Sequence, residues 1–223
     1  MTSEEHVSPP RRGRPPTLSA DAIVDAAIRV ADVVGLEALS MRRVAAELGV
    51  AVTTVYLHVE NKEDLVNRMR ERVFVAITLE PDPATGWKEQ LYAALDELYE
   101  TFRAHRSGIE LTFSSPAIFT PEIRRVADGL VAILESGGFP REGAIDALNT
   151  LQVFTAGMAH HVHIQNDRAA ELRRNIEAGA NPRSGVVRHA RAWTVQVPHD
   201  TFTTGLRQLI DAMAVRYGVD PRS

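Results

Sequence analysis

Seven side chains between Ser40 and Lys62 carry most of the chemistry in this sequence: Arg42, Arg43, Thr53, Thr54, Tyr56, His58 and Lys62. Two guanidiniums and an ammonium match the charge of phosphate. Hydroxyls, a phenol and an imidazole donate to phosphate oxygens or base edges, and a threonine methyl can touch a thymine methyl. The pattern reads as a surface for double-stranded DNA. Arg42 and Arg43 add a second argument. They open a helix, whose amino end disfavours cations. A cost with no structural gain points to function, and the free amides at that end favour the same phosphate.

These groups need a helix–turn–helix to present them. A close, steep helix crossing requires a small residue in the first helix, here Ala45. The turn requires a residue free to take positive φ, here Gly49, and a β-branched residue, Val55, anchors the second helix from beneath. Ser40 caps the first helix of the pair, with Leu39 and Val44 at staple positions. The second runs from about Val52 to His58, and Asn61 caps the next, with Glu63 and Asp64 in its first turn. Upstream, Ser19 caps a helix whose apolar face is Ile23, Ala26, Ala27, Val30, Ala31 and Val34, and Gly35 ends it.

The stretch Gly35 to Val66 resembles the DNA-binding domain of the tetracycline-repressor (TetR) family. Gly35, Ser40, Ala45, Leu48, Gly49, Val50, Tyr56, His58, Asn61, Lys62 and Leu65 carry the likeness. Phe202 to Met213 is similar to the last helix of the tetracycline-repressor-type C-terminal domain. The resemblance implies a helical homodimer that represses transcription until a small molecule releases it, with DNA contacts at Arg42, Thr53, Thr54, Tyr56, His58 and Lys62. Val52 stands where the family often has a polar base reader, and Val59 where it often has phenylalanine. Readout is therefore expected to lean on methyl contacts, Arg42 and DNA shape.

Three segments are expected. Residues 1–17 are a flexible basic arm, proline-rich, with Arg12 and Arg14 suited to a narrow minor groove. Residues 18–66 are the DNA-binding domain, and residues 67–223 the effector-binding and dimerisation domain. The remaining chain shows long helical patterns and no convincing strand beyond short stretches such as Trp193–Val197, so the fold class is all-α, with helix four joining reader to body. Apolar helices near 140–166 and 200–217 are the dimer candidates, since two-fold symmetry supplies two heads for a pseudo-palindromic operator. Residues 175–198 read as a loop.

Phe102, His105, Phe113, Phe119, Met158 and His161, with Ile118, are expected to line an effector cavity suited to an apolar or aromatic small molecule. His160, His161 and His163 lack a metal-binding arrangement, so neither metal nor other cofactor is expected. No phosphate loop, nucleophile elbow or paired carboxylate supports an enzyme; the alternatives are a helical enzyme with a histidine-based site, or a regulator that activates or takes no ligand. The chain of 223 residues is 44% hydrophobic and 24% charged, with net charge −4 and no cysteine, and it has no long apolar run or signal peptide. That composition fits a cytoplasmic protein without a membrane partner.

Overall fold

The computed structural model describes residues 18–75, 77, 79, 84–113, 120–179, 181, 183–185, 187 and 199–220. The basic arm with Arg12 and Arg14, Ala76, Ile118, Phe119 and Trp193–Val197 lie outside the described residues.

The head consists of α1 (Ala20–Val34), α2 (Met41–Leu48) and α3 (Val52–Tyr56). Ser19 accepts from the Ala22 amide, and α1 buries Ile23, Val24, Ala26, Ala27, Ile28 and Ala31. Its alanines allow α2 and α4 to approach closely. Val44, Ala45 and Val55 are at most 1% exposed, so the crossing is closed by the residues the spacing predicts. Burying a valine contributes about 1.5–3 kcal/mol.

Next, α4 (Lys62–Phe74) leads from head to body. Leu65, Val66 and Met69 are buried towards its start, and Val73 and Phe74 towards its end. Phe74 meets Phe102 edge-on at 6.3 Å. The body comprises α5 (Trp87–Ala104), α6 (Arg106–Phe113), α7 (Pro121–Ser136), α8 (Arg141–Glu177) and α9 (His199–Arg216). No strand occurs among the described residues, as the all-α reading requires. Thr120 caps α7 with Pro121 at its first position, and Gly137 ends it.

At the centre of the body Tyr99 of α5 stacks on Phe202 of α9 at 4.0 Å, and Phe154 of α8 stacks on Phe202 from the other side at 5.9 Å. A methyl at Gly205 would lie 2.7 Å from the Phe154 ring, so glycine sets how closely α8 and α9 approach.

Two boundaries differ from expectation. α8 runs on through residues 175–177 instead of yielding to a loop at 175. Its last three turns lack a broad apolar face, but Ala169, Ala170, Glu171, Leu172, Arg173 and Arg174 are strong helix formers. α3 stops at Tyr56, two residues early, because Leu57 and His58 close tighter turns onto Thr54 and Val55. Ile145, within the apolar pattern of α8, is 45% exposed.

Candidate nucleic-acid interface

The turn between α2 and α3 is built by backbone hydrogen bonds. Gly49 has φ 65° and ψ 31°, its amide donates to the Ala46 carbonyl at 3.2 Å, and the Val50 amide donates to Ala45 at 3.0 Å. This helix ending needs a left-handed residue. A methyl there would meet nothing within 4 Å, so the backbone angle alone demands glycine.

Ala51 and Thr53 are exposed, Tyr56 is 51% exposed, and Thr54 and His58 are half-buried. Val52 packs partly against the core. Leu57 is 82% exposed at the carboxyl end of α3. A search for donors and charges passes over it; a large apolar group thrust into solvent between Tyr56 and His58 is the signal such a search overlooks.

Arg42 and Arg43 are both exposed, and neither makes an ion pair among the described residues. Arg29, by contrast, is held by Glu47 at 3.1 Å. Between Leu18 and Val66 there are four Lys or Arg residues against eight Asp or Glu. The head is acidic overall, and its uncommitted positive charge is concentrated at the start of α2.

Lys62 is placed otherwise than expected. Its ammonium donates to the carbonyls of Leu36 at 3.1 Å and Glu37 at 3.2 Å, tying the start of α4 to the α1–α2 loop. Asn61 caps α4 and Asp64 reaches back past it: Asp64 N donates to Asn61 Oδ1 at 2.9 Å, and Glu60 N donates to Asp64 Oδ2 at 2.9 Å. Arg68 bonds Asp64 at 2.9 Å and, as the larger effect, holds its carboxyl below the usual range.

The described members of the expected effector set stand in different surroundings. Phe102 is 1% exposed and shut in the core. His105 faces the head, with Nδ1 3.1 Å from Asp32 Oδ2. Phe113 ends α6 at 49% exposure. Met158 lies with Phe154 and Gly205 on an open groove of about 540 Å³ between α8 and α9. His161 Nε2 pairs with Gln165 Nε2 at 3.0 Å, and His163 Nε2 reaches the Phe102 carbonyl at 2.8 Å. Among the described residues, no three His, Cys, Asp or Glu groups gather as a metal site.

Sequence reasoning also missed the joint between head and body. Arg70 is 4% exposed, and its Nε donates to the Leu111 carbonyl at 2.9 Å. Burial lowers its pKa from the usual arginine value. Arg72 bonds Asp25 at 3.0 Å. Asp32 could have been noticed, since an acid in the last turn of a helix opposes the dipole.

A glycine-turned helix pair, with hydroxyl and aromatic groups on its outer helix and unpaired arginines beside it, defines a helix–turn–helix DNA-binding protein. Residues 23–69 match the family described as bacterial regulatory proteins, tetR family, and residues 80–217 match the tetracyclin repressor-like C-terminal domain. The chain belongs to the tetracycline-repressor family of transcriptional regulators. It is 30% identical over 190 residues to the HTH-type transcriptional repressor DrrR1 of Streptomyces coeruleorubidus, covering 85% of this chain and 65% of that one. It therefore spans less than two thirds of DrrR1. An HTH-type transcriptional regulator of Saccharopolyspora erythraea is 26% identical over 218 residues, covering 92% of this chain and 88% of its own. Among solved structures, ActR of Streptomyces coelicolor in complex with actinorhodin superposes with a TM-score of 0.66 at 25% identity, covering 94% of this chain and all of ActR's (100%). The family assigns transcriptional regulation. No helix among the described residues is long and apolar enough to cross a membrane.

Proposed function

We propose that this chain is a homodimeric repressor that holds a pseudo-palindromic operator and releases it when a small molecule enters the body. The observation that carries the reading is the pairing of two exposed, unpaired arginines on α2 with the exposed face of α3. In this reading residues 18–66 are the reader and residues 67–223 the control and dimerisation domain. Arg42 and Arg43 take phosphates, Thr53 and Thr54 approach base edges, and Tyr56 and His58 bond the backbone. Leu57 covers a thymine methyl or a deoxyribose. Lys62 positions the α1–α2 loop, and Arg12 and Arg14 of the arm add minor-groove contacts.

Support for the dimer comes from α8 and α9. Val153 and Val215 are 65% and 67% exposed on these helices, and the groove holding Phe154 and Met158 runs between them. Large apolar groups left open on adjacent helices suit a second copy. Support for a released repressor comes from DrrR1, named a repressor, and from ActR, solved with the small molecule actinorhodin. An apolar or aromatic effector fits that likeness.

Selecting bound DNA from a random pool tests class and symmetry together. The expected result is an inverted repeat with half-sites about 34–36 Å apart, bound by a species that sediments as a dimer. A single asymmetric site, or a monomer at micromolar concentration, defeats the reading.

A further inference from the structure

Head and body are joined by polar ties that run through α6. Asp32 sits in the last turn of α1, yet its carboxylate points out of the head. Its Oδ1 accepts from the Ser107 amide at 2.8 Å and the Ser107 hydroxyl at 2.7 Å, and its Oδ2 meets His105 Nδ1 at 3.1 Å. Ser107 is the second residue of α6 and is 0% exposed. The head thus supplies the amino-terminal cap of a body helix. α6 returns a carboxylate: Glu110 Oε2 accepts from the Leu36 amide at 2.6 Å, just after α1. Each partner satisfies an orphan amide of the other, so the head cannot swing without uncapping α6.

We propose that Asp32, His105 and Ser107 form a proton-sensitive latch that positions the DNA-reading head on the body, so that operator affinity follows the charge on His105. The latch rests on the head's role in DNA binding and on no particular effector. Asp32, His105 and Ser107 are positioning residues; none touches DNA.

The charged surroundings favour a cation at His105. Its side chain is 41% exposed, in a cleft of about 580 Å³ where α1, α4 and α5 meet. From α1 come Asp25, Arg29 and Asp32; from α4, Arg72; from α5, Glu97 and Glu100. The cations are paired: Arg72 with Asp25, Arg29 with Glu47, and Arg103 with Glu100, which leaves Asp32 as the acid that acts on His105. Arg106, next in sequence, is held by Asp167 of α8 at 2.6 Å. Glu110 is spent on Leu36. The hydrogen bond to Asp32 raises the His105 pKa above its ordinary value of 6.5, against the opposing effect of burial. Burial alone would raise the Asp32 carboxyl, but bonds from His105 and Ser107 outweigh it and hold the group below its ordinary value.

The sign follows. His105 has its pKa raised on docking, so its contribution is complete below about 6.5 and fades as pH rises through the raised value. Asp32 is depressed and stays charged throughout that window. A neutral imidazole can still donate from Nδ1 to the charged carboxylate, so the bond loses the cation's share of its strength instead of breaking.

The test measures operator affinity of the full chain by fluorescence anisotropy between about pH 6 and 9, on DNA selected from a random pool. Wild type should show a several-fold step across that range, and its size reports how far docking raises the His105 pKa. His58 lies on the proposed DNA-reading face, so His58→Gln is measured beside it and should keep the step. His105→Gln and Asp32→Asn should flatten it; the side-chain amide of the Asp32→Asn variant keeps an acceptor for the Ser107 N–H but removes the charge. Ser107→Ala should shift affinity at every pH with the step intact, in the direction expected for loosened docking. The direction of the step tells whether the docked orientation is the bound or the released one. A flat wild-type profile, or a step that survives His105→Gln, overturns the latch. Should His105→Gln fail to fold, Asp32→Asn decides by the same criterion.

Discussion

Replacing Arg42 by alanine tests the assignment of the head's free charge. A dimer carries two copies of each arginine, and each phosphate neutralised contributes about −0.9 to the slope of log affinity against log salt. Losing Arg42 from both heads should flatten the slope by about 1.8, whatever else contributes to it. Over a fourfold rise in salt, wild type should lose about twelvefold more affinity than the variant. Arg42 is exposed and makes no ion pair among the described residues, so its removal leaves no buried partner stranded and the fold should be unaffected. Anisotropy titrations across a salt series, with thermal melts alongside, give both quantities. An unchanged slope with lower affinity would refute the phosphate assignment and move Arg42 to a base edge. No change in either quantity would remove it from the interface.

Other consequences are as specific. Gly49→Ala forces a left-handed φ of 65° on a side chain, which should cost about 1–2 kcal/mol in thermal stability, although no atom clashes. Val153→Asp places a charge on the open face of α8; melting should barely change, while sedimentation shifts to monomer and operator affinity falls more than about tenfold. Removing residues 1–16 should flatten the salt slope further, since three arginines leave each subunit, and an unchanged slope would assign the arm to solubility.

Local grammar was legible in the sequence because its causes are local. Ser19, Ser40 and Asn61 cap helices through amides three residues away, and Gly49 takes the angle the turn imposes. Periodicity found Val44, Ala45 and Val55 because burial repeats with the helix. What failed was the destination of long polar side chains. Lys62 looks like a phosphate ligand in sequence, yet its ammonium reaches carbonyls 25 and 26 residues upstream. His105 looks like a cavity wall, yet it turns to an aspartate 73 residues away. No window of sequence contains those partners. The end of α8 failed for another reason: its last turns are held by propensity, and a search for an apolar stripe passes over them.

The surplus of acid on the head governs where this regulator spends its time. With eight acidic residues against four basic ones, the head meets random DNA mostly with repulsion, relieved only along the edge of α2. Attraction to unspecific DNA grows with the number of phosphates neutralised, and a genome offers about 10⁶–10⁹ competing sites. A head so sparing with cations leaves few molecules stranded on that reservoir. In the proposed reading, occupancy of the correct site is then reached with few copies of the protein, and a molecule that leaves it returns to solution instead of sliding along the chromosome.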